Sequence, residues 1–306
     1  MSRAPGVERV VSLLDFLATH PDESFGLSDL SRQLGLSKAT AHAMVTALTD
    51  AGYLLRHPTH KTYSLGPALI AVGHAAGARQ LDLVDHARPE MEGLAAGLGV
   101  QVVASSVVGD EIVLLANSGR PGPMWLAFTV GQRLPLTPPL GTVFLAWAAQ
   151  VDIDRWLDQS GPRATADDRE RLRSALKVVR LRGYSLNLEA VARLKLGRAM
   201  TGRTDEPLSG VIDELAHEEY LLEEVGSAVS HRLAQIAAPV FGADGAVVLA
   251  LTMVGLPDSL SAEQVPVYAQ QLVAAANSVT RTLHGRPPLD FPVTEIRGAQ
   301  GEQLIK

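Results

Sequence analysis

The stretch "LSKATAHAMVTALTDAGYLLRHPTHKTYSLG", residues 36–66, decides the fold of the first part of the chain. Its first half is helical, because the Ser37 hydroxyl suits the free amides of a helix start and Gly52 suits a helix end. Its second half holds two runs of strand character, "YLLRHP" and "TYSLG", around the polar tip "THK". The stretch therefore predicts a helix from Ser37 to about Ala51 and then a β-hairpin.

This helix has two faces of different chemistry, since successive residues turn by about 100° around its axis. The apolar face is formed by Ala41, Met44, Val45 and Leu48. The opposite face is formed by Ala39, His42, Ala43, Thr46 and Asp50. We expect the first face to pack on other helices and the second to point towards a partner.

Two more helices are predicted before it. The first is indicated by apolar residues at helical spacing, namely Val7, Val10, Val11, Leu14 and Leu17. The second is "LSDLSRQLG", residues 27–35, with Ser28 as its expected N-cap and Gly35 at its exit. Only Gly35 and Leu36 separate this second helix from the helix that begins at Ser37, so the second helix and the Ser37 helix should cross steeply, as in a helix-turn-helix.

The hairpin carries polar and cationic side chains at its tip. They are Arg56, His57, Thr59, His60 and Lys61. A helix in a major groove beside a hairpin that rests on phosphates would form a winged DNA-binding module. Three short helices and a hairpin also occur in protein-binding modules, so the pattern alone leaves both functions open.

Length and composition indicate a globular protein with two domains: the chain has 306 residues, 46% hydrophobic and 20% charged. Glu8, Arg9 and Asp15 interrupt the first apolar segment, and no apolar run reaches about eighteen residues. We therefore expect no signal peptide, no membrane span and a cytoplasmic location. The sequence contains no cysteine, which excludes disulfides and thiolate metal sites.

Charge is divided unevenly along the chain, whose net charge is −6. Residues 1–80 carry seven Lys or Arg against six acidic residues, which leaves −7 on the remainder. A near-neutral head with clustered cations on an acidic body favours a nucleic-acid module joined to a second domain.

The body alternates between strand and helix patterns. Strands are predicted over 100–108, 111–117, 124–130, 234–241 and 246–255. Helices are predicted over 141–150, 154–159, 167–182 and 261–285. Residues 66–99 are also helical by pattern, with an expected break at Pro89. Antiparallel hairpins interrupted by helices predict an α+β domain.

Two regions resemble the IclR family of bacterial transcription regulators. In the head the matching residues are Gly35, Leu36, Ser37, Lys38, Thr40, His42, Leu48, Gly52 and Tyr53. In the body they are "VGQRLPLTPPLGTVFLAW", 130–147, and "IAAPVFGADGAVVLALTMVG", 236–255. The resemblance implies an α+β protein with an N-terminal winged helix-turn-helix, a linker helix and a GAF- or PAS-like effector-binding domain with an antiparallel sheet.

The resemblance also implies where the domains lie. We expect the winged helix-turn-helix over 1–66, the linker over 67–80, the effector-binding domain over 81–285 and a flexible tail over 286–306. Residues 185–234 are interpreted as a helix-rich insertion that either covers a pocket or contacts another subunit.

By the same resemblance, DNA contacts are expected from two sets of residues. The helix would contribute Ser37, Lys38, Ala39, Thr40, His42, Ala43 and Thr46, and the wing would contribute Arg56, His57, Thr59 and Lys61. Family members usually have Arg where this chain has Ala43, so we expect Ala39 and Ala43 to approach thymine methyl groups instead. The implied assembly is a homodimer or a tetramer on a palindromic double-stranded operator.

A small-molecule effector site is implied in the body. Its expected lining is Phe128, Leu140, Gly141, Thr142, Gln235, Thr252 and Val254. The helix opened by Gly141 and Thr142 would offer amides and a hydroxyl to an anionic group. Because Gln235 and Val254 replace a cysteine and a serine common in the family, we expect an acid larger or more apolar than a two-carbon one.

The sequence lacks a convincing catalytic constellation. Ser174 and Lys177 have the spacing of a nucleophile pair but lie in a charged helical pattern, and His217 with Glu218 and Glu219 is read as a solvated charge run. We expect no metal, no cofactor and no catalysis. An enzyme or ligand-binding protein with a regulatory helical head is the alternative, and a protein-binding module is the third.

Overall fold

The computed structural model describes residues 4–18, 20, 23–119, 130–161, 164–188, 210–211, 214, 233–257, 260–261 and 263–292. The chain divides into two compact units, the head unit Met1–Asp82 and the sheet unit Leu83–Lys306.

The head unit is a winged helix-turn-helix. Its helices are α1 (Pro5–Ala18), α2 (Leu27–Gln33), α3 (Lys38–Asp50) and the start of α4 (Ala68–Leu98). Its strands are β1 (Phe25–Gly26), β2 (Leu54–Arg56) and β3 (Thr62–Leu65), in the antiparallel order β1-β3-β2. The expected helices and hairpin are confirmed, and β1 is an additional strand.

The core of the head unit joins all three helices to the wing. It contains Leu13, Leu17, Leu30, Val45, Leu54 and Tyr63, all nearly inaccessible to solvent. Ala41 and Val45 of α3 are buried, while Met44 and Leu48 are partly buried, which confirms the expected packing face. The wing closes onto the end of α3 at Gly66, where a Cβ atom would overlap the Gly52 carbonyl oxygen.

The two expected helix caps have different outcomes. Ser37 is confirmed, because its Oγ accepts a hydrogen bond from the Thr40 amide at 3.1 Å. The assignment of Ser28 as an N-cap is wrong, because α2 begins at Leu27 and its N-cap is Gly26, which makes no side-chain hydrogen bond. Gly26 pairs with Thr62 in the wing sheet, so the helix starts directly after β1 and Ser28 falls inside its first turn.

The expected break at Pro89 is also wrong. Helix α4 runs through Pro89, with the buried side chains of Ala87 and Met91 on either side of it in sequence. Proline removes one backbone hydrogen bond from a helix interior, at a cost of roughly 3 kcal/mol. We attribute the continuity of α4 here to the burial of its apolar side on the core of the sheet unit.

The sheet unit contains a six-stranded antiparallel sheet. Its strands are β4 (Gln101–Val108), β5 (Glu111–Ser118), β6 (Arg133–Pro135), β7 (Ser185–Leu188), β8 (Leu233–Phe241) and β9 (Val247–Val254). Their order is β6-β5-β4-β9-β8-β7. The helices are α5 (Thr142–Leu145), α6 (Gln150–Leu157), α7 (Ala166–Arg182) and α8 (Gln264–Thr282). This architecture confirms the α+β class.

Helices cover both faces of the sheet. On one face, Met91 of α4 and Leu272 of α8 share a core with strand residues such as Leu251. On the other face, Phe144 of α5 and Leu176 of α7 share a second core with Ala237 and Ala250. Successive residues of the buried strands therefore point alternately into the first and the second core.

Several expected boundaries in the sheet unit need correction. The helix expected over 141–150 is only four residues long, and α6 begins at Gln150. The insertion cannot span 185–234, because 185–188 form β7 and pair with β8, which begins at Leu233. Most of the intervening chain lies outside the described residues, although Val211 is fully buried in the second core.

The expected flexible tail begins too early. Phe291 is buried between the rings of Trp147 and Phe241, at centroid distances of 5.6 and 5.1 Å. Asp290 accepts a hydrogen bond from Arg180, which lowers the pKa of the Asp290 carboxyl below its usual value. Residues 286–292 are thus part of the fold, whereas 293–306 lie outside the described residues.

Candidate functional sites

The outward face of α3 is exposed along its length. Ala39, His42, Ala43, Thr46 and Asp50 are all exposed, as the helical spacing predicted. This face presents two methyl groups, one imidazole and one hydroxyl before the carboxylate at its end. It offers few large side chains, so another surface can approach the helix backbone closely.

The start of α3 is organised by hydroxyl groups. Ser37 Oγ lies 2.9 Å from Thr40 Oγ1 in addition to capping the Thr40 amide. Ser31 Oγ donates to the Leu36 carbonyl at 2.6 Å and so fixes the turn between α2 and α3. Lys38 is exposed at the same helix start, where free amides and a cation favour an anion.

The wing tip is organised by a histidine. His57 Nδ1 accepts hydrogen bonds from the amides of Thr59 at 3.3 Å and His60 at 3.2 Å. In the neutral ring this leaves the proton on Nε2. Lys61 completes the tight tip with a positive φ of 53°, and the rings of His57 and His60 lie 4.6 Å apart. The tip is therefore a defined turn with exposed polar side chains.

Three cations of this module have no acidic partner among the residues that the structure describes. Lys38, Arg56 and Lys61 are exposed and form no ion pair within 4.0 Å there, whereas Arg32 is bound by Asp29 at 2.7 Å. Arg56 lies 5.9 Å from the centre of the Tyr63 ring, a contact that orients its guanidinium. These cations are available to a polyanion.

A row of paired residues crosses the sheet unit on the α5 side. Gln101 pairs with Val254, Val254 pairs with Gln235, and Gln235 pairs with Asn187. Directly paired residues of antiparallel strands lie about 5 Å apart on the same face. Gln235 Nε2 donates to Asn187 Oδ1 at 3.0 Å. We call these four residues the cross-strand row.

Three of the expected effector residues lie in the cross-strand row or next to it. Gln235 and Val254 belong to it, and Thr252 lies two residues before Val254 on the same face, opposite Ala237. Phe128 lies outside the described residues.

The sequence reasoning missed Gln101 and Asn187. Gln101 is 4% exposed, and its Oε1 has no hydrogen-bond partner within the described chain. Asn187 is 2% exposed. A polar residue directly before the apolar run "VVA" was the available signal for Gln101.

The remaining expected effector residues, Leu140, Gly141 and Thr142, lie at the start of α5. Leu140 and α5 pack in the same core as Ala237, so they share the face that carries the cross-strand row. Gly141 has a φ of 89°, and a Cβ atom there would overlap the Leu136 side chain. Because α5 has four residues, the positive charge expected at its start is small.

The structure also places some of the residues that were considered for metal binding or catalysis. Within the described ranges, no group of three His, Asp or Glu side chains is placed to bind a metal ion. Ser174 and Lys177 lie on α7, where the Lys177 side chain is 70% exposed and its Nζ lies 3.9 Å from Glu170. His217, Glu218 and Glu219 fall outside these ranges. As far as the structure is described, no helix has the length and apolar character to cross a membrane.

Family models match both units. The IclR helix-turn-helix domain matches residues 6–58, and the bacterial transcriptional regulator IclR C-terminal domain matches residues 75–192. Together these matches cover more than half of the chain. The chain belongs to the IclR-type transcriptional regulators. It is a DNA-binding transcriptional regulator with an N-terminal helix-turn-helix and an IclR-type C-terminal domain.

Individual relatives agree with this assignment. The HTH-type transcriptional regulator XynR of Escherichia coli is 27% identical over 251 residues, which covers 74% of this chain and 96% of the relative. A solved IclR regulator from Alicyclobacillus acidocaldarius is 23% identical with a TM-score of 0.63, covering 93% of this chain and 100% of that chain.

A second solved structure is an IclR homologue from Microbacterium hydrocarbonoxydans complexed with 4-hydroxybenzoate. It is 22% identical with a TM-score of 0.62, covering 91% of this chain and 98% of that chain. The two solved structures share the fold of this chain.

Proposed function

We propose that the outward face of α3 enters the major groove of an operator while the β2–β3 wing contacts the DNA backbone beside it. The observation that carries this proposal is the exposed face of α3, flanked by Lys38 at its start and by Arg56 and Lys61 on the wing. A major groove about 12 Å wide admits an α-helix of this kind. Unpaired cations next to it supply the phosphate contacts that hold a helix in register.

The residues of α3 then divide by role. His42 and Thr46 reach base edges, while the methyl groups of Ala39 and Ala43 approach thymine. Ser37, Lys38 and Thr40 hold a phosphate at the helix start, since two of them are already fixed by the cap.

The wing residues contact the sugar-phosphate backbone. They are Arg56, His57, Thr59 and Lys61.

A homodimer would present two such helices to a palindromic operator. Exposed apolar side chains on the head unit support this assembly: Val7 and Val11 of α1 are 63% and 50% exposed, and Ile70 and Val72 of α4 are 75% and 48% exposed. Val7 and Val11 lie one turn apart on the same side of α1, and exposed apolar groups that lie side by side are typical of a contact surface. Pairing of the sheet units would extend a dimer to a tetramer.

The effector site is proposed on the face of the cross-strand row. Gln235, Thr252, Val254, Leu140, Gly141 and Thr142 share this face with Gln101. A ligand hydroxyl or amide N–H that reaches Gln101 Oε1 would satisfy an acceptor that is costly to bury alone. We infer a hydroxylated, largely apolar acid, and 4-hydroxybenzoate is a suitable first probe.

A regulator of chromosomal DNA acts in the cytoplasm, and its function needs no catalysis. The competing enzyme hypothesis would require an assembled set of reacting groups. Ser174 and Lys177 do not support it, because the Lys177 side chain is exposed and its Nζ lies 3.9 Å from Glu170.

The proposal is tested by fluorescence anisotropy with DNA from upstream of the protein's own coding sequence. Binding should weaken steeply with salt, because each neutralised phosphate releases counterions. The double substitution Lys38→Ala and Lys61→Ala should lower the salt slope by about 4 for the dimer, which is about 2 for each subunit. The matched control Arg32→Ala removes a cation that is already paired with Asp29. Equal slopes for all three proteins would reject the proposal.

A further inference from the structure

A cavity lies in the sheet unit, away from the cross-strand row. It has a volume of about 460 Å³ and is bounded by the β4–β5 turn, the α5–α6 corner and the β8–β9 turn. Small-molecule sites in proteins typically measure 300 to 1,000 Å³, as an order of magnitude. None of the four residues of the cross-strand row lines this cavity.

The walls of the cavity are apolar and aromatic. They include Phe144, Trp147, Trp156, Leu136, Leu145 and Val247. Trp156 is held in place because its indole N–H donates to the Leu140 carbonyl at 2.9 Å. Phe144, Leu145 and Trp156 are themselves part of the second core, so this wall is built into the fold rather than formed by a loose surface loop.

The mouth of the cavity is acidic. Among the described residues that line the cavity, Asp110, Asp152 and Asp244 are acidic and Arg155 is the one cation. Arg155 is bound by Asp152 at 2.7 Å, so these two charges compensate each other. Asp110 and Asp244 are exposed and have no ion-pair partner in the part of the chain that the structure describes. One Asp244 oxygen accepts the Ala246 amide, which fixes the carboxylate on its turn.

We propose that this cavity binds an organic ammonium ion with an aromatic or branched apolar body. The body lies against the Phe144 and Trp156 walls, and the ammonium group lies between the carboxylates of Asp110 and Asp244. A carboxylic acid would meet two negative charges at the same entrance. This cavity therefore selects the opposite charge from the effector site proposed above.

The proposal is tested on the full-length protein without DNA, so its result does not depend on operator binding. Phenethylamine is titrated and compared with 2-phenylethanol and 3-phenylpropionate, which keep the ring and change the charge. Trp147 and Trp156 are two of the three tryptophans, so intrinsic fluorescence reports occupancy and calorimetry gives the affinity. We expect the amine to bind at least about fivefold more tightly than the alcohol, and the acid to bind most weakly.

Variants locate the binding in this cavity. The double substitution Asp110→Asn and Asp244→Asn should weaken amine binding about fivefold to tenfold and leave the alcohol unchanged. The matched control Asp167→Asn removes an exposed carboxylate of α7 outside the cavity and should change nothing. Ala246→Trp, which fills the mouth, should abolish binding of both probes, with circular dichroism to verify the fold. No preference for the amine, or wild-type affinity in the double variant, would overturn the proposal.

Discussion

At the residue scale, the two serines that open the DNA-binding motif have different physical roles. Ser28 and Ser37 both stand next to a helix start, and sequence pattern assigned a cap to each. The structure gives the cap to Ser37 alone, because pairing of β1 with β3 moves the start of α2 to Leu27. A two-residue strand has no periodicity to read, so this difference could not be predicted from the sequence.

The cap at Ser37 is expected to contribute measurably to the stability of the head unit. Ser37→Ala should lower the free energy of unfolding by about 1 kcal/mol, because the Thr40 amide loses its acceptor. The matched control Ser28→Ala should change the same quantity by less than about 0.5 kcal/mol. Urea unfolding followed by circular dichroism measures both, and an equal loss in the two variants would contradict the cap assignment.

A substitution of Ala43 tests whether this residue faces a base pair in the major groove. Ala43→Arg adds a cation to the outward face of each α3, so the salt slope of DNA binding should rise by about 2 for the dimer, or about 1 for each subunit. Selection of operators from a random pool should also show a changed preference at the base pairs next to this residue, from thymine towards guanine. An unchanged base preference would show that Ala43 does not face a base.

At the element scale, prediction succeeded where periodicity and turn chemistry agreed. The β4–β5 hairpin with its Gly109–Asp110 turn, the β8–β9 hairpin and α7 follow the patterns of their sequences. The edge strands β6 and β7 have three and four residues, too few to show alternation. The cross-strand row depends on which residues are paired across the sheet. The roles of Gln101 and Asn187 in it could therefore not be predicted before the strand register was known.

The segment after α8 is expected to stabilise the sheet unit. Phe291→Ala should lower the free energy of unfolding by about 3 kcal/mol, because it empties a buried site between Trp147 and Phe241. Thermal and urea unfolding measure the loss. The matched control Leu289→Ala truncates a fully exposed side chain two residues earlier and should have little effect. Equal stability of the Phe291 variant and the wild type would show that this segment does not anchor the fold.

At the scale of the whole molecule, we expect two subunits to associate through their head units. The double substitution Val7→Asp and Val11→Asp places charge on an exposed apolar surface, so it should weaken the dimer without unfolding the subunit. Analytical ultracentrifugation measures the association. The matched control Val151→Asp changes a similarly exposed valine of α6, which is 62% accessible. An unchanged dimer dissociation constant in the variant that carries both substitutions would show that α1 is not part of the proposed interface.

The central claim is that the outward face of α3 lies in the major groove, and site-directed DNA cleavage tests it most directly. The chain has no cysteine, so Ala43→Cys provides a unique position for an iron-chelate cleavage reagent. We predict strong cleavage in two clusters centred about ten base pairs apart, one for each α3 helix of a dimer. The control Ala166→Cys, at an exposed position of α7, should give weak and diffuse cleavage. Cleavage from position 43 that is no stronger and no more localised than from position 166 would contradict the account.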